Sequence, residues 1–158
     1  MHMKIKEITM PDQKRGICDH ILRSLPSWFG VENSIVEYVS KVKELPFFTA
    51  FDGDIPVGFI ALQPHNQYTA EICVMGVLTE YHRMGIGRSL IEQCESYCRE
   101  ASYEFLTVKT LDGSRASKSY EKTRLFYAAM GFKPLEVFPL FWDADNPCLF
   151  IAKHLGRK

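Results

Sequence analysis

Apolar positions along this chain change period several times, and each change marks an element boundary. Lys4 to Thr9 alternates polar and apolar residues, Lys-Ile-Lys-Glu-Ile-Thr, which predicts a first strand. Thr9-Met10-Pro11-Asp12 reads as a helix start, with a hydroxyl cap and an acid three residues on. Ile17, Cys18, Ile21, Leu22 and Leu25 then recur at helical spacing until Pro26 stops the helix. Ser34-Ile35-Val36-Glu37 forms a second capping box, opening a helix whose apolar positions are Ile35, Val39 and Val42 and which closes at Pro46. Strands at 47–51 and 57–62 form a hairpin around the turn Asp52-Gly53-Asp54.

A longer apolar strand follows at 70–78, holding one carboxylate, Glu71, and one glycine, Gly76. Beyond Gly85-Ile86-Gly87 the period returns to that of a helix, with Ile86, Leu90, Cys94, Tyr97, Cys98 and Ala101 on one face. The pattern continues as a strand at 105–110 and a polar loop. A helix at 119–130 places Thr123, Phe126, Tyr127 and Met130 on one side and ends at Gly131. Strands at 132–137 and 149–154 finish the chain, separated by a loop over 139–147. Strands and helices mixed in this way predict an α/β domain, and the early hairpin excludes a purely parallel sheet.

At 158 residues the chain has the length of one domain, taken here as 1–158. Its 19 Lys and Arg balance 19 Asp and Glu, so no global charge recruits nucleic acid or an anionic membrane, and any electrostatic site must be local. No apolar run approaches the roughly 18 residues of a membrane span. Met1-His2-Met3-Lys4 has no signal-peptide core, and Met1-His2 reads as a cloning remnant before Met3. The five cysteines match neither a zinc knuckle nor a Cys-x-x-Cys motif. Cys94 and Cys98 share a helix face and read as buried thiols, so no metal is expected and a reducing cytoplasm is the expected location.

The most informative stretch is Tyr81-His82-Arg83-Met84-Gly85-Ile86-Gly87-Arg88-Ser89-Leu90, where a strand runs into a glycine turn that opens a helix. The first N–H groups of a helix have no partners within it, and the helix dipole adds positive potential there. Glycines let an anion approach the backbone, and Arg83 and Arg88 bracket the turn. The chemistry predicted is an anion site suited to a pyrophosphate. A Walker A loop would need a Lys after the second glycine, and a dinucleotide fingerprint would need a small residue at Leu90; both are absent.

That segment resembles the acetyl-CoA motif of the GNAT superfamily of N-acetyltransferases, [Q/R]-x-x-G-x-[G/A], with His82 in the first position and Arg83 one place later. Thr123-Arg124-Leu125-Phe126-Tyr127-Ala128-Ala129-Met130-Gly131-Phe132 is similar to the family's late A-x-x-F-Y-x-x-x-G-F segment, with Thr123 for Ala and Tyr120 where Asn is frequent. The two motifs stand in the family's order, and the resemblance spans nearly the whole chain. It implies a single mixed, largely antiparallel sheet of six to seven strands flanked by about four helices. The activity it implies is transfer of an acetyl group from acetyl-CoA to a primary amine of a small molecule or peptide, by direct attack in a ternary complex.

By the same resemblance, His82, Arg83, Met84, Gly85, Ile86, Gly87, Arg88 and Ser89 contact the coenzyme. The backbone of Met75, Gly76 and Val77 receives its pantetheine arm and thioester, with Gly76 allowing close approach. Glu71, in Ala70-Glu71-Ile72, is the candidate general base, directly or through a water, and partial burial would bring its basicity into a useful range. Tyr127 is the candidate general acid beside the coenzyme sulfur. His65, in a polar loop, reads as solvated. Trp28, Phe29 and Trp142 are candidate walls of an acceptor pocket. A homodimer is compatible with the sequence. Two other classes stay open: a non-catalytic acyl-CoA sensor on the same fold, and an unrelated nucleotide-binding protein.

Overall fold

A computed structural model describes residues 3–156; Met1 and His2, read from the sequence as a cloning remnant, lie outside the described residues. Chain order is β1 (Met3–Glu7), α1 (Pro11–Arg23), α2 (Glu32–Val42), β2 (Phe47–Asp52), β3 (Ile55–Pro64), β4 (Thr69–Val77), a 3-10 turn (Thr79–Tyr81), α3 (Ile86–Glu100), β5 (Phe105–Leu111), α4 (Lys118–Ala129), β6 (Lys133–Asp143) and β7 (Asn146–His154). The seven strands form one sheet in the order β1-β2-β3-β4-β5-β7-β6. Pairs β1–β2, β2–β3, β5–β7 and β6–β7 are antiparallel, and β4–β5 is parallel. This is the mixed, largely antiparallel sheet with four α-helices that the resemblance implied.

The first two helix starts differ from their capping-box forecasts. Met10, not Thr9, is the N-cap of α1, and it makes no side-chain cap bond. Pro11 at the first helical position fixes the start through its preset φ. The second helix begins at Glu32, before the predicted box, with Val31 as an N-cap that also lacks a side-chain bond. There Arg23 reaches Glu32 with two hydrogen bonds, of 2.7 Å and 2.8 Å, so a fork-to-carboxylate contact ties the two helices where a hydroxyl cap was expected. Lys14 supplies another tie: its buried ammonium donates to the Leu45 carbonyl at 2.7 Å, just past the end of α2.

Residues 139–147, expected as a loop, are mostly strand. The last hairpin closes tightly, because Asp143 Oδ1 accepts from Asp145 N and from Asn146 Nδ2, both at 2.9 Å. Pro139 is tolerated within β6 because that strand ends the sheet order, where one row of backbone groups needs no ladder partner. The register shifts between Phe138 and Asp143.

Two contact units divide the chain. One holds residues 3–63 and 72–97. Its core sets Phe47 and Phe59 in a stack at 5.2 Å, with Ile21, Leu22, Leu90 and Ile91 fully buried. The other holds residues 64–71 and 98–156, with Leu106, Val108, Phe132, Cys148 and Ile151 at its core. Cys94 and Cys98 are both fully buried free thiols, as read from the sequence.

Candidate active site

Alternation along β4 sets the geometry. Ala70, Ile72, Val74 and Gly76 are buried on one face, and Glu71, Cys73, Met75 and Val77 are half-buried on the other. Gly76 thus lies on the face opposite Glu71. A Cβ on it would sit 3.0 Å from Leu25 Cδ1 and 3.2 Å from Ile21 Cγ2. The expectation that Gly76 clears space for a cofactor is corrected on this point: its missing side chain makes room for α1 and the segment just after it.

Within the first unit, the backbone leaves β4 through the 3-10 turn and reverses into α3. His82 Nε2 donates back to the Val77 carbonyl at 2.7 Å, and the ring meets Trp28 edge to face at 5.7 Å. The imidazole therefore pins the end of β4 to the turn. Arg83 adopts φ 65° and Gly85 φ 78°, both left-handed. The cost of that region, about 1–2 kcal/mol for a residue with a Cβ, falls on Arg83 and is avoided at Gly85. An ideal Cβ at Gly85 meets no atom within 4 Å, so the turn opens onto free space.

Ile86, Gly87 and Arg88 are the first helical residues, and their N–H groups have no acceptors within the helix; the Ser89 N–H is the first to bond, to the Gly85 carbonyl at 3.0 Å. Ile86 is buried and anchors the helix start, whereas Arg83, Met84, Arg88 and Ser89 are exposed. Gly58, which the sequence did not single out, positions this start: a Cβ there would lie 3.3 Å from Ile86 Cγ2, Leu90 Cδ1 and the Gly76 carbonyl alike. The result is a helix start whose first backbone donors follow an open glycine turn, with exposed Arg83 and Arg88 on either side of it in sequence, a donor set of the chemistry that a diphosphate needs.

Within the second unit, Glu71 is 12% exposed at its side chain. Its Oε1 accepts from His65 Nε2 at 2.6 Å and from Lys109 Nζ at 2.8 Å. His65 thus donates to Glu71 and is not merely solvated, and Lys109 is a partner of Glu71 that the sequence reading missed. The available signal was a single lysine in the otherwise apolar and hydroxylic run Phe105-Leu106-Thr107-Val108-Lys109-Thr110. Lys109 Nζ also lies 5.3 Å from the Phe141 ring centroid and 5.7 Å from that of Phe150. The registered pairing of β4 with β5 runs from Thr69–Phe105 to Glu71–Thr107.

Tyr127 is 5% exposed, and its ring packs against Phe126 and Phe132, each at 5.4 Å. Gly131 takes φ 97° and ends α4 as its sequence position predicts. Trp142 is 45% exposed on β6, edge to face with Phe141 at 5.9 Å. Of the aromatics proposed as pocket walls, Trp28 meets the glycine turn through His82, Phe29 turns to Tyr38 at 6.1 Å, and Trp142 belongs to the other unit.

A family model described as the acetyltransferase (GNAT) family matches residues 14–132. The chain belongs to the GNAT family of acetyltransferases. It is an acyltransferase of a family that uses acetyl-CoA. It is 27% identical over 157 residues to the N-acetyltransferase YsnE of Bacillus subtilis, covering 98% of this chain and 100% of that one. Its fold matches a GNAT acetyltransferase from Desulfovibrio desulfuricans with a TM-score of 0.84 at 16% identity, over 98% of this chain and 100% of the other. An aminoglycoside 6'-N-acetyltransferase solved with coenzyme A matches with a TM-score of 0.77 at 20% identity, over 100% and 99% of the two chains. The glycine turn of this GNAT chain lies inside the matched span, and so do Glu71, Lys109 and Tyr127.

Proposed function

We propose that this acetyltransferase moves the acetyl group of acetyl-CoA to a primary amine of a small molecule or peptide, by direct attack in a ternary complex. The observation that carries the reading is the turn at Gly85, where a left-handed glycine opens onto free space at the start of α3, whose first N–H groups, those of Ile86, Gly87 and Arg88, have no acceptor within the helix. These donors, with Arg83, Arg88 and Ser89, hold the coenzyme diphosphate. Backbone groups of Met75 and Val77, on the half-buried face of β4, receive the pantetheine arm and the thioester oxygen. A backbone N–H placed for that oxygen contributes roughly 3–4 kcal/mol of transition-state stabilisation.

Glu71 removes the proton from the acceptor ammonium, and its bond from His65 holds the carboxylate in place. Tyr127 supplies a proton to the departing thiolate. The bound coenzyme supplies the activated acetyl group, and the chain's own residues orient it and move the protons. Trp28, already against His82, lines the acceptor side of the first unit. We place the protein in the cytoplasm, a reading supported by its free cysteines. A homodimer would cover the exposed Leu135, Val137 and Leu140 of β6.

Two measurements test the reading. Thermal shift with coenzyme A, ATP and NAD should show stabilisation by coenzyme A alone. Thiol release from acetyl-CoA should then rise with at least one amine in a panel of polyamines, aminoglycosides, amino acids and peptides. Binding without thiol release across the panel would favour a non-catalytic acyl-CoA sensor.

A further inference from the structure

Glu71 already has an amine against it. Lys109 Nζ sits 2.8 Å from Glu71 Oε1, the contact that the proposed mechanism asks of an acceptor ammonium. The lysine side chain is 24% exposed and the carboxylate 12%. Phe141 and Phe150 present their rings to the same ammonium at 5.3 Å and 5.7 Å. The carboxylate and the two aromatic rings hold this ammonium in one place beside the base. Glu71 and Lys109 are fixed on adjacent, registered strands, so the amine is held at the base without any binding step.

We propose that Lys109 is a self-acetylation site: in the absence of an acceptor, the enzyme transfers the acetyl group to its own Lys109 Nζ. The inference rests on the reading above, in which Glu71 is the base and acetyl-CoA the donor. Glu71 takes one proton from the Lys109 ammonium and passes it to solvent. The freed Nζ lone pair attacks the thioester carbonyl carbon, forming a C–N bond as the C–S bond breaks. The second Nζ proton is lost as the amide forms, and the leaving thiolate gains one proton. The products are acetyl-lysine, coenzyme A thiol and one proton released. Loss of the positive charge ends the Lys109 contact with Glu71 as an ion pair and leaves the His65 contact.

The test uses the full chain with acetyl-CoA and no acceptor, followed by peptide mass spectrometry over time at several protein concentrations. Lys109 should acquire one acetyl group well ahead of the exposed Lys4 and Lys41, with a first-order rate constant that does not change on dilution. Glu71→Gln should slow Lys109 acetylation on the order of 100-fold. Circular dichroism checks the fold of that variant. If the wild-type chain binds coenzyme A and acetylates an amine from the panel while Lys109 stays at the background rate, the inference is wrong and the acetyltransferase reading stands. A rate that scales with protein concentration also overturns it, because transfer then occurs between molecules. Absence of both coenzyme binding and turnover removes the parent reading, and this inference with it.

Discussion

Gly76→Ala distinguishes two roles for one glycine. The sequence motif places Gly76 beside the coenzyme, whereas the structure aims its missing side chain at Leu25 and Ile21. Its φ lies outside the left-handed range, so alanine can adopt the native backbone. That substitution stiffens the unfolded chain and gains about 0.4–1 kcal/mol. Against this, the new Cβ would stand 3.0 Å from Leu25 Cδ1 and 3.2 Å from Ile21 Cγ2, in a core where both residues are nearly or fully buried. Overpacking of this kind costs about 1–3 kcal/mol, because neither side chain has room to swing away. The net loss is then roughly 1–2 kcal/mol, and at about 2–4 °C per kcal/mol for a chain of this size the midpoint should fall by about 2–8 °C. Thermal unfolding followed by circular dichroism reads the loss, and titration calorimetry at a temperature where the variant is folded reads coenzyme A affinity. Affinity should match wild type. Unchanged stability combined with a tenfold or greater loss of affinity, about 1.4 kcal/mol, would refute the packing argument and return Gly76 to the cofactor face.

Gly85→Glu should abolish coenzyme A binding, because a bulky anion enters the cradle and a left-handed φ of 78° is imposed on a residue with a Cβ; circular dichroism should show the fold retained. Tyr127→Phe should bind coenzyme A with unchanged affinity and lower kcat by about 100-fold or more, the contribution of a general acid; unchanged kcat removes Tyr127 from the mechanism. Burial pushes the Cys18 thiol up to about 12 from 9.0, so it stays protonated in the fold after it would ionise in the unfolded chain. Between those values the native state holds more protons than the unfolded state, and stability falls as pH rises, by up to about 1.4 kcal/mol per unit. Denaturant unfolding at pH 9 and pH 10.5 should show a steeper loss for wild type than for Cys18→Ala.

The sequence by itself determined the order and type of nearly every element, because hydrophobic period is a local signal and the strands and helices here are amphipathic. It also located the glycine turn that opens α3, where Gly85 takes the left-handed backbone a glycine permits. Element edges were less legible where a local motif competed with a contact made elsewhere. The Thr9 and Ser34 boxes yielded to Pro11 and to the Arg23–Glu32 pair, and 139–147 became part of a hairpin because β6 pairs with β7 up to Phe138 and again at Asp143. Which way a side chain points was decided only by tertiary structure. Alternation along β4 names two faces, but it took α1 packed on one of them to give Gly76 to the core and leave Glu71 on the other face. The contact of Glu71 with Lys109, 38 positions on, depends on the parallel pairing of β4 and β5, and no local pattern encodes that pairing.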